Sequence, residues 1–267
     1  MLVGPPPSIA GRGWGDCVPA LVPPKASRTR RSGMAATLHS LQLRSTLARV
    51  KRGAWKRGSS SKAPTEGLGL ESIRFDTLGL NRDPDEPLNE RYWLGPNLML
   101  SEHWFPIPPD LPSLQEDEIR AMYDGIHGAQ QPDADGRTHR LLHLSVHHET
   151  PVPVVCTLIR VVVPGNQWYS FVGAVTLPLA VCSWVIKVQS DELLPTGIRE
   201  TLAGARYMRE NRTPESSIED LLSHFDPYDS RWDTDDSDPL TLVRRSINKV
   251  LASLDVDLRV RHGSPFR

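Results

Sequence analysis

Four histidines and an acid, His139, His143, His147, His148 and Glu149, form the most conspicuous group of metal-capable side chains in this 267-residue sequence. On a helix, His139, His143 and His147 would line one face, and neighbouring pairs would chelate a metal. On a strand, residues four apart lie roughly 13 Å from one another, too far to share an ion without other ligands. Leu142, Leu144 and Val146 alternate with the histidines, which favours the strand. The histidines therefore read as one polar face of it, solvent-facing or covered by a helix, and no metal site is expected.

A second group, Asp233-Thr234-Asp235-Asp236-Ser237-Asp238, opens like a calcium loop. It fails as an EF-hand, because Asp238 stands where glycine is needed and Arg244 where an acid is needed. The run from 215 to 238 holds nine acids against Arg231 alone. It reads as a solvated loop that caps the next helix and pairs with Arg244, Arg245 and Lys249, or with the basic N-terminal arm.

The third group is the densest set of polar residues beside an apolar strand: Trp184, Lys187, Gln189, Glu192, Arg199 and Glu200. Lys187 and Gln189 fall on one strand face, and Glu192, Arg199 and Glu200 gather where the strand ends and a helix starts. As a site this supports acid–base or anion-binding chemistry at a helix N-terminus. As structure it is an ion-pair set that anchors the helix to the sheet. No nucleophile here is paired with a base, since Ser183 and Ser190 sit in no motif. The six residues are candidate binding residues, and neither a catalytic residue nor a cofactor is expected.

The formal net charge of -1 conceals two regions. Residues 1–65 carry twelve Lys or Arg against Asp16, a net of +11, leaving 19 basic and 31 acidic residues, a net of -12, for 66–267. Residues 1–33 are Pro- and Gly-rich, lack the apolar stretch of a signal peptide and read as disordered. Two readings of the start stand side by side: translation from Met1, or from Met34 with 1–33 not made. Residues 34–50 suit an amphipathic helix with Leu43, Leu47 and Val50 in line. With Lys51, Arg52, Lys56 and Arg57 around Trp55, the arm resembles a transit peptide, a contact for nucleic acid or an anionic membrane, or a plain solvated tail. Cys17, Cys156 and Cys182 match no zinc spacing, and their odd count suits a reducing compartment. A Cys156–Cys182 bridge stays open if their strands are neighbours.

The Gly/Ser/Pro run at 58–69 places a boundary, giving an arm (1–65), a linker (66–89), a folded domain (90–255) and a flexible tail (256–267). Within the domain, Arg91–Leu94 and Leu98–Phe105 flank the turn residues Gly95-Pro96-Asn97. Ser113 and Glu116 form a capping box for a helix with Ile119, Met122, Tyr123 and Ile126 inward. Strand patterns follow over 137–148, 154–163, 167–177 and 181–189. Trp168–Ile186 is 19 residues without a charge, which is also a bilayer-spanning length, but Pro178 and the Val/Thr content favour two strands. Thr196 caps a helix with Ile198, Leu202, Ala205 and Met208 inward. Thr213-Pro214 starts another through Ile218, Leu221, Leu222 and Phe225, and Asp238-Pro239 starts the last, with Val243, Ile247, Val250, Leu251 and Leu254 inward. The class expected is α+β, an antiparallel sheet of about five to six strands covered by helices, behind a disordered basic arm.

The runs Gly173-Ala174-Val175-Thr176-Leu177-Pro178, Trp184 to Gln189, Thr196 to Glu200 and Asp226-Pro227-Tyr228-Asp229 resemble a group of uncharacterised proteins of actinobacterial type, over about 90–255. The element order resembles the PsbP-like α/β/α sandwich, whose members are mostly adaptors, assembly factors and chaperones. The bacterial resemblance removes the transit-peptide reading. Together they imply a non-catalytic binding protein of the bacterial cytoplasm: an adaptor, chaperone or immunity-type protein with a protein partner. The alternatives are a hydrolase working through Lys187, Glu192 and Arg199, and a membrane-associated protein.

Overall fold

The computed structural model describes residues 67–84, 87–127, 137–162, 169–192, 197–211, 213 and 217–266. The expectations for the arm and the Thr196 cap lie outside the described residues. Seven strands form one antiparallel sheet: β2 (Asn81–Arg82), β3 (Glu90–Leu94), β4 (Met99–Phe105), β5 (Thr138–His147), β6 (Val154–Val162), β7 (Tyr169–Pro178) and β8 (Ser183–Glu192). Their spatial order is β2-β3-β4-β8-β7-β6-β5. After β4 the chain crosses to the far edge through helix α1 (Glu116–His127), then returns strand by strand until β8 lies beside β4. A two-stranded ribbon pairs β1 (Ile73–Arg74) with β9 (Asp255–Val256). The remaining helices are α2 (Ile198–Asn211), α3 (Ile218–Ser223), α4 (Pro239–Ala252) and α5 (Leu258–Arg261). Regular structure thus continues on both sides of the segment whose composition marks it as the domain.

The described residues of the 19-residue uncharged stretch form β7 and the first part of β8, which pair from Tyr169↔Glu192 to Pro178↔Ser183. Among the described residues no helix is long and apolar enough to cross a membrane. Cys156 and Cys182 are buried and unbonded, and burial pushes the Cys156 thiol up to about 12.

Because side chains alternate across a strand, the register assigns two faces. One carries Leu100 of β4, Trp184, Ile186 and Val188 of β8, and Phe171, Val175 and Leu177 of β7, all at most 2% exposed. Helix α4 covers it with Leu240, Val243, Ile247 and Val250. Asp238 caps α4 by accepting from Thr241 N at 2.8 Å, and Pro239 follows in the first turn, where its missing N–H costs nothing. The helix approaches so closely at Gly173 that a Cβ there would collide with Ile247 Cδ1. On the other face α1 packs Ile119 against Leu144 and Val155 at the β5–β6 end.

Two local expectations are corrected. Ser113 Oγ accepts from Gln115 N at 3.0 Å, whereas Glu116 Oε1 accepts from Val146 N at 2.8 Å, so Glu116 caps the open edge of β5 and there is no capping box. In β5, a bulge between Leu141 and His143 shifts the register from Leu141↔Ile159 to His143↔Leu158. One extra residue inverts every side chain beyond it. His139 therefore faces α1's side, while His143 and His147 point to the opposite face and meet through Ser145 Oγ, at 3.3 and 3.0 Å. Among the described residues no group of three or more His, Cys, Asp or Glu side chains is arranged to hold a metal.

Candidate functional site

Gly197, directly before α2, has φ 81°, a conformation that glycine adopts without penalty. That turn presents Gly197 N to Glu192 Oε1 at 3.0 Å, so the last residue of β8 tethers the helix that follows. At the second position of that helix, Arg199 is 6% exposed and engages all five of its N–H donors. Nε donates to Pro227 O at 2.9 Å. Nη1 donates to Asp238 Oδ2 at 2.5 Å and Thr241 Oγ1 at 3.3 Å, and Nη2 to Asp229 O at 3.2 Å and Asp233 Oδ1 at 2.6 Å. Asp233 also holds Arg244 at 2.9 Å, and Asp236 pairs with Arg245. The acid run is therefore a clasp that fastens α2 to α4. Asp235 turns its carboxylate onto Ser237 N and Oγ, which holds it below the usual carboxylate range.

The six candidate residues do not form one group. Trp184 is fully buried under α4 and donates Nε1 to Gly69 O at 3.0 Å. Lys187 and Gln189 lie on the opposite face, level with Ser101 and Met99 of β4. Gln189 is 7% exposed and donates to Asp191 Oδ1 at 3.2 Å. Burial pushes the Lys187 ammonium below its ordinary pKa, and Glu90 acts against that shift. Only Glu192, Arg199 and Glu200 gather. Glu200 Oε1 accepts the Tyr228 hydroxyl at 2.7 Å. Burial raises the Glu192 carboxyl, and the charges of Glu200 and Asp238 add to the rise.

Beside this trio a cleft of about 350 Å³ opens. Its walls include Asn97, Glu192, Ile198, Leu202, Trp232 and Asp235. The sequence pattern places Ile198 and Leu202 inward, yet they are 48% and 62% exposed. The stripe of α2 that is buried runs Arg199, Ala203 and Tyr207, with Tyr207 packed on Phe225 and Trp232. An arginine at the buried position hides the true face from hydrophobic spacing. The signal that remained was the nine-acid run downstream, which supplies that arginine with partners.

Two further buried ionisable groups sit back to back on β4. Glu102, on α4's face, is fully buried, and burial pushes its carboxyl up to about 7 although Arg91 Nη1 donates to it at 3.3 Å. His103, on Lys187's face, is 8% exposed, and burial with the nearby Lys187 charge holds it down at about 4, against the pull of Glu90.

No protein-family model and no curated protein sequence matches the chain. Among solved structures it is similar to a single-residue mutant of the protein Mog1, with 9% identity over 73% of this chain and 97% of that one at a TM-score of 0.40. It is also similar to the solution structure of cyanobacterial PsbP (CyanoP) from Synechocystis sp. PCC 6803, with 14% identity over 74% of this chain and 98% of that one at a TM-score of 0.31. At such scores neither likeness bears on activity. The second falls in the PsbP group that the element order resembles.

Proposed function

We propose that the protein is a non-catalytic binding protein whose contact surface for a protein partner is the cleft at the β8–α2 junction. One observation carries this reading: α2 leaves Ile198 and Leu202, one helical turn apart, about half exposed on the wall of a cleft, and apolar side chains set in a concavity with polar groups around them are the usual lining of a binding site. The chemistry around the cleft supports binding over turnover. Arg199 has no donor left for a substrate, and Lys187 lies on the opposite face of the sheet from Glu192. The adaptor, chaperone or immunity-type role in a bacterial cytoplasm follows from the same reading together with the resemblance to actinobacterial-type proteins. The unbonded Cys156 and Cys182 suit that reducing compartment.

The test is co-purification from the native host with the full chain and with Leu202→Glu. A protein that is recovered with the wild type and lost with the variant, at unchanged melting temperature, is the expected outcome. Equal recovery by both chains would remove the cleft from the account.

A further inference from the structure

Arg140 on the edge strand β5 and Arg160 on β6 stand directly opposite each other in register, a like-charge cross-strand pair that costs stability. Both guanidinium groups lie over one ring. Arg140 Cζ is 5.1 Å and Arg160 Cζ 5.2 Å from the centre of Tyr228, and Arg160 Cζ is also 4.7 Å from the centre of Tyr169. Contact through the ring face orients a guanidinium without using its N–H donors. Arg160 is half-buried: its Nη1 donates to the Tyr228 hydroxyl, and its Nε is sealed without a partner. Arg140 is exposed, and among the described residues it donates to no protein group.

The acids nearby are engaged elsewhere. Glu200 answers Arg160 at one remove, accepting the Tyr228 hydroxyl at 2.7 Å. Glu192, in register with Tyr169, has its carboxyl raised by burial and by the charge of Glu200. At the backbone end of Tyr228, Asp226 Oδ1 accepts from Tyr228 N at 3.0 Å, Arg244 donates to Tyr228 O and to Asp233, and Arg199 holds Asp233 and Asp238. Further along β5, burial and the charge of Arg244 lower His143 below its ordinary value. Arg140 is thus the cation of this group that has no acid against it.

We infer that Arg140 is a docking point for an aspartate or glutamate side chain of a protein partner, its fork donating to both carboxylate oxygens while Arg160 and the Tyr228 ring hold that fork in place. The surroundings set the ligand's charge. One carboxylate fills one guanidinium fork, whereas a phosphate dianion would bring a second negative charge towards Glu200, one hydroxyl away. They also set its carrier. A free small molecule draws its affinity from a concave pocket, and an exposed arginine on an edge strand meets instead an acid presented on another protein's surface. Arg140, Arg160 and Tyr228 lie outside the lining of the cleft, so this inference stands apart from the reading above.

The experiment uses the full chain, labelled with nitrogen-15 and titrated with N-acetylated, C-amidated pentapeptides: Gly-Ser-Glu-Ser-Gly and its counterparts with glutamine or phosphoserine at the centre. The glutamate peptide is expected to shift the Arg140, Arg160 and Tyr228 amides saturably, with the glutamine peptide silent and the phosphoserine peptide no tighter. Arg140→Gln should weaken glutamate-peptide binding about fivefold, and Arg140→Lys, which keeps the charge and loses the fork, should restore it only in part. Leu202→Glu should leave the shifts intact. An equal response to glutamine overturns the inference, as does unchanged binding by Arg140→Gln, the result expected if the basic arm collects the peptide. Phosphoserine binding more than tenfold tighter overturns the carboxylate in favour of a phosphate. Loss of the shifts in Leu202→Glu would move the contact to the cleft and overturn the separate site.

Discussion

The two faces of the sheet are built on opposite principles. Under α4 the face is an apolar layer, from Leu100 through Trp184 and Ile186 to Val175 and Leu177, closed by Val243, Ile247 and Val250, with the carboxyl of Glu102 buried beside it on β4. On the other face α1 shields only the β5–β6 end with apolar side chains, while β4 and β8 carry Ser101, His103, Lys187 and Gln189. The contrast teaches that enclosure alone does not make a site. The polar groups of that second face are enclosed and pair with one another, Ser101 Oγ with His103 Nε2 at 3.0 Å and His103 Nδ1 with Glu90 Oε1 at 3.5 Å. At the rim of the α4 face, by contrast, Glu192 and Arg199 line an open cleft.

Stability measurements sharpen the contrast. Trp184→Ala empties the centre of the apolar layer and should cost about 3–5 kcal/mol in denaturant unfolding, whereas Lys187→Met, which removes an amine that burial disfavours, should be neutral or stabilising. A large loss from Lys187→Met would show that the polar face is a structural network after all. Arg199→Met should cost about 3 kcal/mol, because it leaves Asp233 and Asp238 without their shared partner. A cost near zero would mean that the clasp is dispensable.

Adjacent residues on the two faces should respond oppositely to pH. Glu102 has its folded pKa raised to about 7 from 4.5, so the native state holds the extra proton and stability falls as pH rises from 4.5 to 7. His103 has its folded pKa lowered to about 4 from 6.5, so the unfolded state holds the extra proton and stability rises from pH 4 to 6.5. Each contribution is on the order of 3 kcal/mol, and the two oppose one another over pH 4.5–6.5. Glu102→Gln should uncover a rising profile and His103→Asn a falling one, both read by denaturant midpoints across pH. Variants that simply parallel the wild type would contradict these two environments. The smallest expected effect belongs to Leu202→Glu, within about 0.5 kcal/mol, as suits an exposed side chain.

The six long strands were legible because β5 alternates, β6 is apolar on both faces, and turn residues such as Gly95-Pro96-Asn97 and Pro178 part the others, and Asp238-Pro239 announced α4 with its inward stripe. The histidine face was not legible. A bulge at Leu142 leaves the alternating pattern readable on either side while inverting its second half. For the site, Glu192, Arg199 and Glu200 could be picked from their density at a strand end. The hydrophobic spacing of α2, however, pointed Ile198 and Leu202 inward, because Arg199 is buried only through acceptors some thirty to forty residues away. Sequence order carries no measure of that distance, nor of the crossover that lays β8 beside β4.

The most direct test sets one substitution on each face side by side in the native host: Leu202→Glu at the cleft and Lys187→Met on the polar face, both in the full chain. The account predicts that partner recovery collapses with Leu202→Glu and is unchanged with Lys187→Met. Recovery lost with Lys187→Met and retained with Leu202→Glu would contradict it and move the binding surface to the opposite face of the sheet.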